Sequence, residues 1–169
     1  GIGNLMINTG SVKTDAAANA SRFDHDHETA TPYYYQVLLE DPDINTEFTL
    51  TKNTVLFRFT LPENETSHIL LTFTNNASIQ IKDNNVIEGE AVVRERNNTS
   101  VKHYFSAKLS KPVASVGTWE GSDISPDEKT KTGENIGLYM SYPTKTQQET
   151  VEMNIGISSN SIEEARSFV

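Results

Sequence analysis

The densest run of side chains able to do chemistry is Asp24-His25-Asp26-His27-Glu28, followed at once by Thr29-Ala30-Thr31-Pro32 and by Tyr33, Tyr34 and Tyr35. Alternate residues of an extended segment share a face, so His25 with His27, or Asp24 with Asp26 and Glu28, can converge on a metal ion or on the hydroxyls of a sugar. The same residues can equally form a polar strand edge whose carboxylates bond local backbone amides. Metal sites draw ligands from separated segments and need a supporting outer shell, so no metal site is assigned to this run alone. Trp119, the only tryptophan, stands in Gly117-Thr118-Trp119-Glu120-Gly121, where an apolar strand meets a loop. A flat indole beside carboxylates suits the apolar face and hydroxyl rim of a pyranose; the alternative is that it plugs the end of a core. Tyr33, Tyr34 and Tyr35 alternate across a strand, which sends at least one inward and one outward.

Other chemistries find less support. Glycoside cleavage needs two carboxyl groups roughly 5 to 10 Å apart. With 23 acidic residues the chain offers many pairs and singles out none, so no catalytic residue is assigned. There is no cysteine, no Gly-Lys-Ser phosphate loop and no Gly-x-Ser-x-Gly elbow, which removes several enzyme classes.

The elements that must position these residues announce themselves by a period of two. Val151, Met153, Ile155 and Ile157 alternate with Glu152, Asn154, Gly156 and Ser158. Val55, Phe57 and Phe59 do the same, as do Ile69, Leu71 and Phe73, and Ile79 with Ile81. This is the pattern of strands with one face in a core and one in water. Further strands are predicted over 33–39, 47–50, 86–94, 103–109, 113–119 and 137–142. Turn formers separate them: Asp41-Pro42-Asp43, Pro62-Glu63-Asn64, Asn75-Asn76, Asp83-Asn84-Asn85, Asn97-Asn98 and Pro143. Many short strands without crossover helices predict an all-β fold, a sandwich or barrel of antiparallel sheets. Residues 14–20 and 121–133 are predicted to be exposed loops, the second long enough to be mobile.

One helix is predicted from Ser161, where Ser161 and Glu164 have capping-box spacing ahead of Ala165 and Phe168. A helix that opens so near the last residue reads as the way into a following domain, and Gly1-Ile2-Gly3 leads into Asn4-Leu5-Met6-Ile7 as though entered in mid-strand. The expected division is a β-sandwich over 1–160, incomplete at its N-terminal side, and the start of a helical linker over 161–169.

With 169 residues the chain suits one domain able to build a core without metals or disulfides. Lys and Arg total 14 against 23 acidic residues, a net charge of -9, so nucleic acid is not an expected partner. No apolar run approaches the length of a membrane helix, and the absence of cysteine fits several compartments. The Asn-x-Ser/Thr sequons at Asn19, Asn64, Asn76 and Asn98 are what chance supplies in an Asn- and Thr-rich chain.

The run from Ser21 to Tyr35 resembles the Ser-x-Phe-Ser-His-Asp-Asp-Glu-x-Ala-x-Pro-Gly-Tyr-Tyr stretch in the N-terminal domain of glycoside hydrolase family 92. Other segments follow in the same order: Leu5-Met6-Ile7-Asn8-Thr9-Gly10, Ile69-Leu70-Leu71, Phe105 through Trp119, and Val151 to Phe168. Asp24 stands where the family has Ser, His27 where it has Asp, Tyr33 where it has Gly, and Glu120 where it has Asp. The Tyr33 difference bears on local geometry, since Gly permits backbone conformations that Tyr resists.

The resemblance implies a supersandwich, galactose-mutarotase-like, packed against an α-helical toroid in a calcium-dependent, inverting, exo-acting α-mannosidase. It places the catalytic carboxylates and calcium ligands chiefly in that second domain. The chain alone is then inactive, needs no cofactor of its own, and helps wall a cleft for mannose-containing glycans. His25, Asp26, Glu28, Tyr34 and Trp119 are its candidates for a substrate-facing or interdomain surface. A secreted, periplasmic or cell-surface bacterial location is implied too. Two readings stand beside this one: a carbohydrate-binding module that works alone, using Trp119 and the tyrosines, and a structural sandwich of a surface protein.

Overall fold

In a computed structural model, the chain is described over residues 2–12, 14, 36–39, 44–95 and 97–169, without the side chains of 36–39. Among the described residues, thirteen strands form two facing sheets. They are β1 (Asn4–Thr9), β2 (Gln36–Leu39), β3 (Asn45–Leu50), β4 (Thr54–Leu61), β5 (Thr66–Phe73), β6 (Ala77–Lys82), β7 (Val86–Arg94), β8 (Ser100–Leu109), β9 (Ser115–Glu120), β10 (Asp123–Pro126), β11 (Thr130–Gly133), β12 (Ile136–Pro143) and β13 (Glu149–Ser158). The six-stranded sheet has the order β10-β9-β12-β5-β1-β2, and the seven-stranded one β11-β6-β7-β8-β13-β4-β3. Neighbours are antiparallel except β1 and β2, which run parallel with Asn4 beside Gln36.

The period-two residues meet between the sheets. Leu5 and Ile7 of β1, Ile69, Leu71 and Phe73 of β5, and Leu138, Met140 and Tyr142 of β12 face Val55, Phe57 and Phe59 of β4, Phe105 and Leu109 of β8, and Val151, Met153 and Ile155 of β13 in one continuous core. Phe73 and Phe105 stack across the gap with ring centroids 5.5 Å apart, one ring from each sheet. The Tyr142 phenol, deep in this core, donates to Lys111 O at 2.7 Å, which satisfies the one polar atom that comes with that ring. Asn64, Asp83, Asn84 and Asn98 take positive φ, as short side chains that bond locally do most readily.

The stretch 121–133 differs from the loop predicted for it. Asp123–Pro126 pairs with β9, and Thr130–Gly133 pairs with β6. Both are outermost strands, and a four-residue strand at a sheet edge buries too little to need an apolar face. Pro126, which lacks an N–H, is tolerated for the same reason.

A short helix, α1 (Ile162–Ser167), follows β13 and packs on β7, β8 and β13. Ser161 is its N-cap, accepting from Glu164 N at 3.0 Å. The reciprocal half of the capping box is absent: the Glu164 carboxylate takes the Asn160 amide, and Ser161 N bonds Ser158 Oγ. Ser161→Ala is therefore expected to cost about 1 kcal/mol, read as a lower urea midpoint with an unchanged slope.

Candidate functional site

The outer face of the six-stranded sheet carries a row of buried polar groups. Residues of opposite parity to the core lie here, and register sets them in rows. Asn8, His68 and Ser141 are aligned across β1, β5 and β12; Met6, Leu70 and Tyr139 form the next row, with Gly117 of β9 beyond. All six of these side chains are buried, so the centre of this sheet is covered on both faces, and β5 reads as Ser-His-Ile-Leu-Leu with little alternation of polarity.

His68 uses both ring nitrogens. Nε2 lies 2.6 Å from Gly10 O and Nδ1 2.6 Å from Ser141 Oγ. A carbonyl can only accept, which assigns the proton to Nε2 and makes the Ser141 hydroxyl the donor to Nδ1. The Tyr139 ring meets the imidazole edge-on, 6.4 Å between centroids. Burial pushes the His68 pKa below its ordinary value, with the Gly10 bond acting the other way. Asn8 donates from Nδ2 to Ser11 O at 2.7 Å and to Thr9 O at 3.2 Å, while Gly10 N donates to Thr66 O at 3.0 Å. Three contacts thus hold the chain at Gly10 and Ser11, where φ of +85° turns it off β1. Removing the Asn8 amide (Asn8→Ala) leaves Ser11 O without its bond and is expected to cost about 1 to 2 kcal/mol in urea unfolding.

A hydroxyl bonded to an imidazole is also half of a nucleophile-activating arrangement. Here Ser141 is 3% exposed and His68 6%, and the atom that orients the ring is a backbone carbonyl rather than a carboxylate. The pair is built to hold the backbone.

Trp119 sits on the same face, directly across from Gly137. It is 2% exposed and packs with Met6, Leu70 and Tyr139, and Val12 lies against the group. Of the two roles the sequence left open, the geometry of this chain matches packing: the indole has no free face for a sugar ring. It caps the outer layer of the six-stranded sheet, however, and not the end of the core between sheets. His25, Asp26, Glu28 and Tyr34 belong to the connection between β1 and β2 and lie outside the described residues. Sequence reasoning missed Asn8, His68 and Ser141. The available signal was a histidine directly before the apolar run Ile69-Leu70-Leu71, with leucine at the next outward position.

Two packed, largely antiparallel sheets, with polar groups bonded to backbone at β1, β5 and β12, define an all-β sandwich domain. The chain belongs to glycosyl hydrolase family 92: the model of the family's N-terminal domain matches residues 1–158. The fold is similar to that of a family GH92 inverting mannosidase from Bacteroides thetaiotaomicron VPI-5482, with a TM-score of 0.76 and 21% identity over 96% of this chain and 22% of that one. A family GH92 α-mannosidase from the same species, solved in complex with mannoimidazole, gives 0.74 and 19% over 96% of this chain and 24% of its own. The chain thus spans under a quarter of the length of these two enzymes. No curated protein matches it.

Proposed function

We propose that the chain is the N-terminal β-sandwich of a longer exo-α-mannosidase, calcium-dependent and inverting, which acts on mannose-containing glycans outside the cytoplasm. The observation that carries this reading is the match of the family 92 N-terminal domain over residues 1–158, together with a fold shared along 96% of the chain with enzymes about four times as long. The sandwich supports the wall of a cleft whose acid, base and calcium ligands come from the rest of the enzyme. Calcium takes six to eight oxygen ligands, and among the described residues no three Asp, Glu, His or Cys side chains gather as a metal site. His25, Asp26, Glu28 and Tyr34 remain the proposed substrate-facing or interdomain residues.

The test is release of mannose from a mannoside by the longer protein, with calcium and after chelation, beside this chain alone. Activity in the longer protein that chelation removes and calcium restores is the expected result, with none from the 169 residues. Turnover by the short chain would overturn the division of labour, and an inactive longer protein would overturn the enzyme reading.

A further inference from the structure

A six-residue helix cannot hold itself in water, because nucleation costs more than so few bonds return. Helix α1 is held by the sheet beneath it. Gly156 lets it approach, since a Cβ there would run into the carbonyl oxygen of Ala165, and Ala165 is fully buried. Ser158 Oγ accepts from Asn160 N and Ser161 N, which makes the turn out of β13 tight.

The third attachment is ionic. Glu88, on the outer face of β7, is 1% exposed. Its carboxylate accepts from Arg166 Nε at 2.8 Å and Nη2 at 3.0 Å, from Lys82 Nζ at 2.8 Å and from Ser106 Oγ at 2.9 Å. Donors from β6, β8 and α1 thus meet on one buried group.

We infer that the Glu88–Arg166 pair positions α1, fixing the direction in which the chain leaves the sandwich. A two-bond fork between a planar guanidinium and a carboxylate sets angle as well as distance, whereas an apolar contact would let so short a helix roll. Buried ion pairs are seldom more stabilising than apolar groups of the same volume; their best-attested use is to select one arrangement. The inference rests on the reading of the chain as the sandwich of a longer enzyme, where the orientation of α1 decides how the following domain faces this one.

Arg166→Ala is the clean test. Arg166 is on the helix with about half its side chain in solvent, and its loss leaves Glu88 bonded to Lys82 and Ser106, so the sheets keep their partners. In the 169-residue chain, amide exchange at Glu164, Ala165 and Phe168 is expected to rise about tenfold or more while β7, β8 and β13 stay protected. Arg166→Lys, which keeps a charge without the fork, falls between. In the longer protein, small-angle scattering of Arg166→Ala is expected to show a wider spread of domain orientations. Its mannosidase kcat/KM falls about tenfold with the pH profile unchanged, because no acid or base is touched. Unchanged exchange at the helix, or loosened exchange with unchanged scattering, overturns the inference. A wild-type longer protein that releases no mannose would sink the enzyme reading alone, because exchange and scattering still decide this one.

Discussion

Replacing Gly137 by alanine is expected to lower the stability of the sandwich by about 3 kcal/mol and to shift the emission of Trp119 to the red. Strands β9 and β12 pair so that Gly137 faces Trp119 and Gly117 faces Tyr139, a reciprocal arrangement in which each ring lies over the bare backbone of the other strand. A Cβ at Gly137 would fall inside the indole, and one at Gly117 inside the Tyr139 ring. The indole has nowhere to retreat, since Met6, Leu70 and Tyr139 enclose it and all are buried. Overpacking typically costs 1 to 3 kcal/mol when neighbours can shift. A clash with a ring hemmed in on every side belongs at the upper end or beyond. Because the chain has one tryptophan, fluorescence reports this site alone, and circular dichroism during urea unfolding reports the whole domain. Gly121→Ala is the control: its φ is +59° and no atom lies within 4 Å of the added methyl, so only a backbone cost of about 1 kcal/mol is expected. In the double variant Trp119→Ala, Gly137→Ala, the two costs should add to less than their sum. A Gly137→Ala protein as stable as wild type, with unshifted emission, would show that the stacked pair does not shape this face.

The β9–β12 stack also marks the limit of what alternation could reveal. Period two identified one buried face for most strands, and the residues it nominated, such as Val151, Met153 and Ile155 against Val55, Phe57 and Phe59, do meet in the core. Alternation cannot report a second buried face. On β5, His68 and Leu70 are buried as well as Ile69 and Leu71. Trp119 was legible as a large aromatic in a strand but not as the partner of Gly137, because that pairing depends on which strands are neighbours. Strands β10 and β11 look like loop in the sequence because edge strands carry no apolar requirement. Turn chemistry transferred better, since a positive φ at Asn64, Asp83, Asn84 and Asn98 is a local property of short polar side chains. The helix start was legible from Ser161, but its fastening by Glu88 was not: 78 residues separate Glu88 from Arg166. Of the candidate site, the polar run near His25 was conspicuous for its composition, whereas the Asn8, His68 and Ser141 row exists only through register.

Stability is expected to be level above about pH 6.5 and to fall as the solution is acidified below it, with buried histidines as the cause. His68 and His103 are both held below their ordinary pKa of 6.5, chiefly because burial disfavours the charged ring; for His103 the nearby Glu95 carboxylate opposes this. The sign follows from which state takes the proton. Above 6.5 neither the folded nor the unfolded chain protonates these rings, so they add no pH dependence. Below it the unfolded chain binds protons that the folded chain refuses, and each histidine removes up to about 1.4 kcal/mol per pH unit until its folded pKa is reached. Glu88 acts in the same direction but at lower pH. The Arg166 fork, with Lys82 and Ser106 behind it, holds its carboxyl down at about 2 against an ordinary 4.5, so its contribution is complete above 4.5 and disappears only as the pH falls toward 2. The interval between pH 5 and 6.5 therefore isolates the histidines. His68→Gln supplies an amide that can donate to Gly10 O and accept from Ser141 but cannot titrate. It is expected to be less stable than wild type at pH 7.5 and to lose less on going to pH 5.5. Urea midpoints at pH 7.5, 6.5 and 5.5 decide the matter: a flat wild-type profile, or a His68→Gln profile as steep as the wild type, would show that the imidazole clamped between Gly10 and Ser141 is not what acid disturbs.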